Sequence, residues 1–420
     1  MGSSFVPPEL VDATIDHLHD DIPTLAACSL VHRQWLSSSR YHLFSRISFA
    51  VSKLPDFLDL IEENAQISRN VRELRVHYSQ GATFGTVYNQ TLLFDVLDRL
   101  PALVTLRLNG ITYFPSSNRA CFAPWQPPPG RTLQCLDFYG FRGSSEILTY
   151  TLSLFGKVPV GVLRVQDADM LVHPDRFGYS WDYASSQAHL FASSMVGWRV
   201  GGLELGLNRP SHHWNDLFCK ILAPSCLVSL EIGALNTLFR ARITAVQRLK
   251  DDYGLLFEQF GVRFAHVRLD VSTAGSLVTD ILSRPVVKFS VPATVLERYL
   301  SECSSLQSLH IYCGSFRESV RDVALLIRSV PPSTKRITFG IQESLQILLQ
   351  DPSFSEDQWT YLEQGLLGIR DLQYVKFVTE IADVEQTHCL LRKQIQLDHM
   401  QRQLMKEVVP KLNETGLLFF

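Results

Sequence analysis

From Val71 onward the chain repeats a short pattern, apolar-x-x-apolar-x-apolar. It reads "VRELRV" at Val71, "LVTLRL" at Leu103, "LQCLDF" at Leu133, "VGVLRV" at Val160 and "VGGLEL" at Val200. It returns as "LVSLEI" at Leu227, "FAHVRL" at Phe264, "LQSLHI" at Leu306, "TKRITF" at Thr334 and "LQYVKF" at Leu372. Successive starts lie between 27 residues (133 to 160) and 42 residues (264 to 306) apart. Segments of helical character separate them, such as "TLLFDVLDRLP", "WNDLFCKILAP" and "VRDVALLIRSVP". A strand followed by a helix, many times over, predicts a βα solenoid.

The polar positions within these strands refine the picture. Glu73, Arg75 and His77 alternate with apolar residues, as do Thr105, Arg107 and Asn109, then Asp137 and Tyr139, then Arg164 and Gln166. Glu204, Glu231, Arg268 with Asp270, His310 with Tyr312, Thr338 and Lys376 continue the series. Strands buried on both faces read as continuous apolar runs. Alternation means that one face packs on helices and the other is polar, which fits an open horseshoe with a mainly parallel sheet better than a doubly wound α/β domain. Arg75, His77, Arg107, Asp137, Tyr139, Arg164, Glu204, Arg268, Asp270, His310 and Tyr312 are therefore the candidate substrate-binding row, since Arg and Tyr are frequent interface anchors. Its N-terminal half leans basic and would suit an acidic or phosphorylated segment.

The first 40 residues follow a different period. Pro8 and Glu9 open a helix carrying Leu10, Val11, Ile15 and Leu18. Pro23 stops it at "HDDIP", a second helix starts near Thr24 with Leu25, Cys28 and Leu30, and a third runs from about Val31 through Trp35. Three helices this short bury too little surface to stand alone, so their apolar faces call for the rest of the chain or for a partner's groove.

"VPPELVDATIDHLHDD" followed by "LAACSLVHRQW" resembles an F-box, in the form common in fungal proteins. Pro7, Pro8, Glu9 and Leu10 match the start of that motif, and Ser29, Leu30, Val31, Arg33 and Trp35 match its end. Val6 stands where the family usually has Leu, and His32 where it often has Cys. The repeats resemble leucine-rich repeats in longer form, with Ile111, Phe141 and Gly314 at the usual Asn position. These resemblances imply a non-catalytic receptor subunit of a cullin-based ubiquitin ligase. Residues 1–50 would dock a Skp-type adaptor, and through it a cullin scaffold, while residues 51–420 would hold a protein substrate. Leu10, Ile15, Leu18, Leu25 and Leu30 are the expected adaptor seam, each worth roughly 1.5–3 kcal/mol on full burial. Pro7, Pro8, Val31 and Trp35 complete the adaptor-binding set, and Trp35 also pins the third helix to the first two. The alternative is a scaffold whose helices merely cap the solenoid; it expects Leu10, Leu25 and Trp35 packed against "FLDLIEENA".

Composition alters little. With 46% apolar and 19% charged residues, the 420-residue chain is an ordinary globular mixture, and a net charge of −3 offers nothing to nucleic acid or an anionic membrane. The eight cysteines form no Cys-x-x-Cys pair and read as free thiols. "SHHW" at 211–214 reads as a loop entering a helix, since adjacent side chains point apart. "FAPWQPPPG" reads as a stiff loop, "VHPDRFGYSWDYASS" as an insertion, and residues 385–412 as one long capping helix. Neither a secretion signal nor an apolar run of about 18 residues is found, so a cytosolic or nuclear location is expected. The familiar hydrolase, phosphate-loop, zincin and dinucleotide fingerprints are absent from the sequence, and no metal or cofactor is expected.

Overall fold

In the computed structural model the described residues are 7–78, 90–110, 124–140, 142–143, 145–170, 191–207, 212–232, 256–257, 259–270, 293–313, 316–341, 356–382, 392–395 and 399–419. The chain opens with α1 (Pro8–His17), α2 (Ile22–Val31) and α3 (Arg33–Ser45), which runs directly into strand β1 (Arg46–Ala50). There follow α4 (Leu54–Glu63), α5 (Ala65–Asn70), β2 (Glu73–His77), α6 (Gln90–Asp98), β3 (Thr105–Asn109), β4 (Leu133–Tyr139), the short β5 (Arg142–Gly143) and α7 (Ser145–Ser153). Then come β6 (Val160–Met170), β7 (Val200–Leu207), α8 (His212–Ile221), β8 (Ser229–Ile232), β9 (His266–Asp270), α9 (Ala293–Glu302), β10 (Ser308–Cys313) and α10 (Phe316–Arg328). The chain closes with β11 (Arg336–Ile341), α11 (Glu356–Leu367), β12 (Tyr374–Ala382), β13 (Arg392–Ile395), α12 (His399–Val408), α13 (Pro410–Glu414) and β14 (Leu418–Phe419).

The strands lie in the sheet in chain order, from β1 to β12, with β5 alone off the path. Every neighbouring pair along that run is parallel. A doubly wound sheet reverses its order at a switch point; this one never does, which makes it a βα solenoid.

Register lines up like residues. Leu74, Leu106, Leu136, Leu163, Leu203 and Leu230 sit side by side across six strands and are each at most 1% exposed. Val267, Leu309, Ile337 and Val375 extend that column. A second column, two residues along, runs through Val76, Leu108, Phe138, Val165 and Leu205. Both columns belong to one continuous core, to which α6 adds Leu93, Val96 and Leu97 and α10 adds Val320, Val323 and Ile327. No strand can bury its leucine alone; each is covered by the helices and by the strand on either side.

Two neighbouring repeats turn off the sheet at the same place. Gly110 and Gly140 follow β3 and β4 with φ near +65°, a conformation an L side chain rarely adopts. Their N–H groups donate to the next strand, Gly110 to the Tyr139 carbonyl at 2.7 Å and Gly140 to the Gln166 carbonyl at 3.0 Å. The Asn-equivalent positions Ile111, Phe141 and Gly314 lie outside the described residues, as does the insertion at 172–186. The proline-rich stretch earns its stiffness from Trp125, which is 2% exposed, stacks on Phe94 and meets Phe155 edge-on. Its indole N–H donates to Asp98 Oδ1 at 2.8 Å.

Three sequence expectations need correction. The sheet begins at Arg46, inside the segment assigned to the helices, because β1 pairs with β2 (Ile47 with Leu74, Phe49 with Val76); the boundary expected at residue 50 falls after the first strand. The second helix begins at Ile22, not near Thr24: Pro23 occupies its first turn, where a missing N–H costs nothing. The long helix expected over 385–412 is broken. Within it, residues 392–395 pair antiparallel with β12, and Pro410 opens a separate short helix. An open sheet edge needs hydrogen-bond partners, and that demand overrides helical periodicity. β14 covers the remaining part of β12 in parallel, and the buried Glu363 carboxylate accepts from the Leu412 N–H at 3.1 Å, anchoring α13. No helix among the described residues is long and apolar enough to cross a membrane.

Replacing Trp125 by Ala should cost about 3–5 kcal/mol, because a large side chain leaves a site that cannot collapse around it. Urea unfolding of the two proteins would measure the difference.

Candidate functional site

Two surfaces follow from the sequence reading, the N-terminal helices and the polar face of the sheet. α1 and α2 both pack on α3 around a small separate core of Val11, Ile15, Leu25 and Cys28, with Leu18, Trp35 and Leu43 half-buried against it. Local chemistry shapes the joints. Asp21 caps α2, accepting from the Thr24 N–H at 3.1 Å and the Thr24 hydroxyl at 2.7 Å. Those two bonds hold its carboxyl below the usual range. His32 is extended between α2 and α3, and its Nδ1 accepts from the Gln34 N–H at 3.2 Å; the His that departs from the F-box pattern thus serves as a helix cap. His42 Nε2 meets Asp16 Oδ1 at 2.8 Å, tying α3 to α1.

This arrangement corrects the expected adaptor seam. Ile15 and Leu25 are fully buried in the helices' own core, and Leu18 and Trp35 pack onto it, so these four hold the unit together. Pro7, Pro8, Leu10, Leu30 and Val31 remain exposed, Leu10 by 59%, Leu30 by 87% and Val31 by 70%. Ile22, which the sequence reading passed over, is 52% exposed. The signal for it was present: the ten residues of α2 contain no charge and only two polar side chains, Thr24 and Ser29. A helix of that composition is normally buried all round. In this chain it is buried on one side only.

A groove of about 610 Å³ lies between the helices and the N-terminal ends of β1, β2 and β3, lined among others by Asp16, His19, Asp20, Tyr41, Arg46 and Arg72. Its carboxylates sit in ion pairs that water reaches, His19 with Asp20 at 2.9 Å and Arg46 with Asp20 at 3.4 Å. No group of three or more metal-ligating side chains occurs among the described residues. Cys28, Cys135, Cys226 and Cys303 are free thiols. The Cys303 thiol donates to the Tyr299 carbonyl at 3.3 Å and is pushed up to about 12 by burial.

On the sheet's polar face, register brings the predicted residues into two adjacent rows. Arg75, Arg107, Asp137, Arg164 and Glu204 are consecutive cross-strand neighbours, and Arg268 and His310 are neighbours farther along the same row. His77 and Tyr139 flank Asn109 in the next row, where Asp270 also pairs with Tyr312. Part of the basic lean expected for the N-terminal half of the row is answered within the chain. Arg107 Nε faces Glu73 Oε1 at 3.0 Å, and Arg164 engages Glu204 through Nε at 2.5 Å and Nη2 at 3.2 Å. With its amide oxygen toward Arg75, Asn109 accepts from that guanidinium at 2.7 and 2.8 Å. Arg107 and Arg164 are thus matched by carboxylates of the chain itself, whereas Arg75 meets only a neutral amide.

Exposure corrects the row further. Asp137 and Tyr312 are only 2% and 3% exposed and cannot meet a substrate as placed. Arg75, His77, Arg107, Tyr139, Arg164, Glu204, Arg268 and His310 are half-buried, and the Asp270 side chain lies outside the described residues. Burial pushes the Asp137 carboxyl up to about 6, with Arg107 and Arg164 pulling the other way, and its Oδ1 has no hydrogen-bond partner. The neighbouring Cys135 thiol is pushed up to about 11, again by burial. Glu73, Asn109 and Cys135 belong to this cluster although the sequence reading left them off the site; the alternating polar pattern was the signal for the first two.

The comparisons with known proteins add little. No protein-family model matches the chain, and no curated protein does. Among solved structures, the leucine-rich repeat-containing protein LegL7 from Legionella pneumophila is similar at 13% sequence identity and a TM-score of 0.42, over 87% of this chain and 98% of that one. At that score the likeness adds nothing to the strand order, which by itself defines a βα solenoid with three helices joined to its first strand.

Two measurements follow. Asp137 is an acid whose folded pKa lies above its ordinary 3.8. Its share of stability is therefore fully present below about 3.8 and lost as pH rises through about 6. A shift of about two units corresponds to as much as about 3 kcal/mol. Asp137→Asn should be the more stable protein at pH 8, with the advantage vanishing by pH 4, in paired thermal melts across that range. Ile15→Ala should loosen the helical unit by about 2–5 kcal/mol, seen as faster hydrogen exchange in α1 and α2.

Proposed function

We propose that the chain is a substrate-recognition subunit of a Skp–cullin–F-box ubiquitin ligase. In this reading the N-terminal helices dock a Skp-type adaptor, which links to a cullin scaffold, and the solenoid holds a protein to be ubiquitylated. The subunit itself does no chemistry; it raises the effective concentration of its substrate near a charged conjugating enzyme. The observation that carries the reading is the outer face of α2, exposed along its length yet free of charge. Pro7, which precedes α1, and Pro8 and Leu10 on it extend the exposed apolar set. The half-buried residues of the polar face, from Arg75 to His310, are the substrate side, and their internal pairing favours a partner read by shape and hydrogen bonds over one read by net charge.

The scaffold alternative expects Leu10 sealed against residues 57–65. Leu10 stands 59% exposed, and Leu25 is buried among the N-terminal helices instead, so that alternative loses its specific support.

Leu30→Asp should abolish co-purification of the adaptor while leaving the thermal melt unchanged, because the native side chain is 87% exposed. Mass spectrometry of proteins bound to the native chain and the variant checks this; adaptor recovered equally with both would refute the docking face.

A further inference from the structure

Because the strands run parallel, the segments that lead into them line one rim of the solenoid. Lys157, Arg199, Arg263 and Lys335 lead into β6, β7, β9 and β11. All four are exposed, and none has a carboxylate within ion-pair reach among the described residues. Val196, Val228 and Val262 lead into β7, β8 and β9, and each is at least 46% exposed. Lateral backbone bonds hold this rim in line. The Arg199 carbonyl accepts from the Val160 N–H at 2.9 Å, the Lys335 carbonyl from the Gln373 N–H at 2.9 Å, and the Val228 N–H donates to the Gly201 carbonyl at 2.8 Å. We propose that this rim seats an extended acidic segment of a protein partner, its carboxylates on the four cations and its aliphatic side chains on the three valines. The inference goes beyond the docking reading above and does not depend on it.

Charge, spacing and side-chain type select that occupant. Acids at this rim are already engaged: Asp98 accepts from the Trp125 indole, Glu302 meets Arg298 at 3.5 Å and Asp371 meets Arg370 at 3.2 Å. The four cations are left for an outside anion, although the whole chain carries a net charge of −3. Helix ends do not account for them. A helix's terminal partial charge acts within its last turn, and Lys335 lies well past the end of α10 at Arg328. Five strand steps separate β6 from β11, about 24 Å at the usual spacing of about 4.8 Å and the reach of about seven extended residues. Carboxylates suit the guanidinium forks of Arg199 and Arg263, and Arg clusters are a recurrent way of reading acidic segments. A nucleic-acid strand would call for exposed aromatic rings on which bases stack. A lipid surface would call for Trp, Phe or Leu to insert. The large apolar residues exposed on the described part of this rim are valines, which suit the aliphatic side chains of a peptide.

The test uses the full chain and a fluorescein-labelled peptide of repeated Glu-Glu-Val, about 15 residues long so that it spans the rim, with binding read by fluorescence anisotropy at low salt. The native chain should bind it at least tenfold more tightly than a Gln-Gln-Val peptide of equal length, and added salt should weaken the complex. Arg199→Glu combined with Arg263→Glu should weaken binding at least tenfold with an unchanged melting temperature. The milder pair Lys157→Gln with Lys335→Gln should weaken it at least threefold, and it carries the test if charge reversal unsettles the fold. Arg40→Glu, at an exposed position on α3, should leave affinity within twofold. The proposal is overturned if the rim variants bind like the native chain, if Arg40→Glu loses as much as they do, or if the Gln peptide binds as well as the Glu peptide. Tighter binding of single-stranded oligothymidylate, or of phosphatidylserine vesicles, than of the peptide assigns the rim to another kind of partner and overturns it as well.

Discussion

The fold depends on one constraint, that every strand must share its leucine with the next. Leu74, Leu106, Leu136, Leu163, Leu203 and Leu230 lie side by side with essentially no exposure. None is covered by its own repeat alone. Stability in such an array is carried by interfaces between neighbours, so both ends are where the structure has to improvise. At the C-terminal end β12 is covered in two pieces, by β13 and by β14, with Glu363 fastening the short helix between α12 and the last strand. At the N-terminal end β1 is continuous with α3, which joins the helical unit to the sheet by chain connectivity rather than by a linker.

That unit is half-complete. Its four-residue core is enough to orient α1 and α2 on α3, and the remaining apolar surface faces outward. Inner and outer residues alternate on α2 with helical period, so the same ten residues both close the small core and present a face that water does not favour. A helix without charge has two neighbours in the proposed complex: its own chain on one side and another protein on the other.

The polar face shows the opposite economy. Glu73, Arg107, Asp137, Arg164 and Glu204 alternate in sign across five strands, so charge is cancelled locally. Asp137 at the centre is the exception to full pairing: buried, with one oxygen unsatisfied and a carboxyl that holds its proton longer than usual. Such a residue is costly to stability at neutral pH.

Sequence alone determined the strands β2 to β4 and β6 to β12 and the polar parity within them, because a period of two with leucine at fixed offsets has only one arrangement that buries every leucine. It also marked the helical start, through Pro8, and the apolar character of α2. It missed the two-residue β5, and it missed β1, β13 and β14, which exist because sheet edges recruit whatever backbone lies near, a requirement invisible in local periodicity. It could not separate Ile15 and Leu25 from Leu10 and Leu30: all are apolar and helically spaced, and only the angle at which α1 and α2 meet α3 decides which are sealed. Nor could it foresee that Arg107 and Arg164 would be neutralised. Glu73 and Glu204 belong to other repeats, 34 and 40 residues away in sequence (107 − 73 and 204 − 164), and tertiary register alone brings opposite charges within reach.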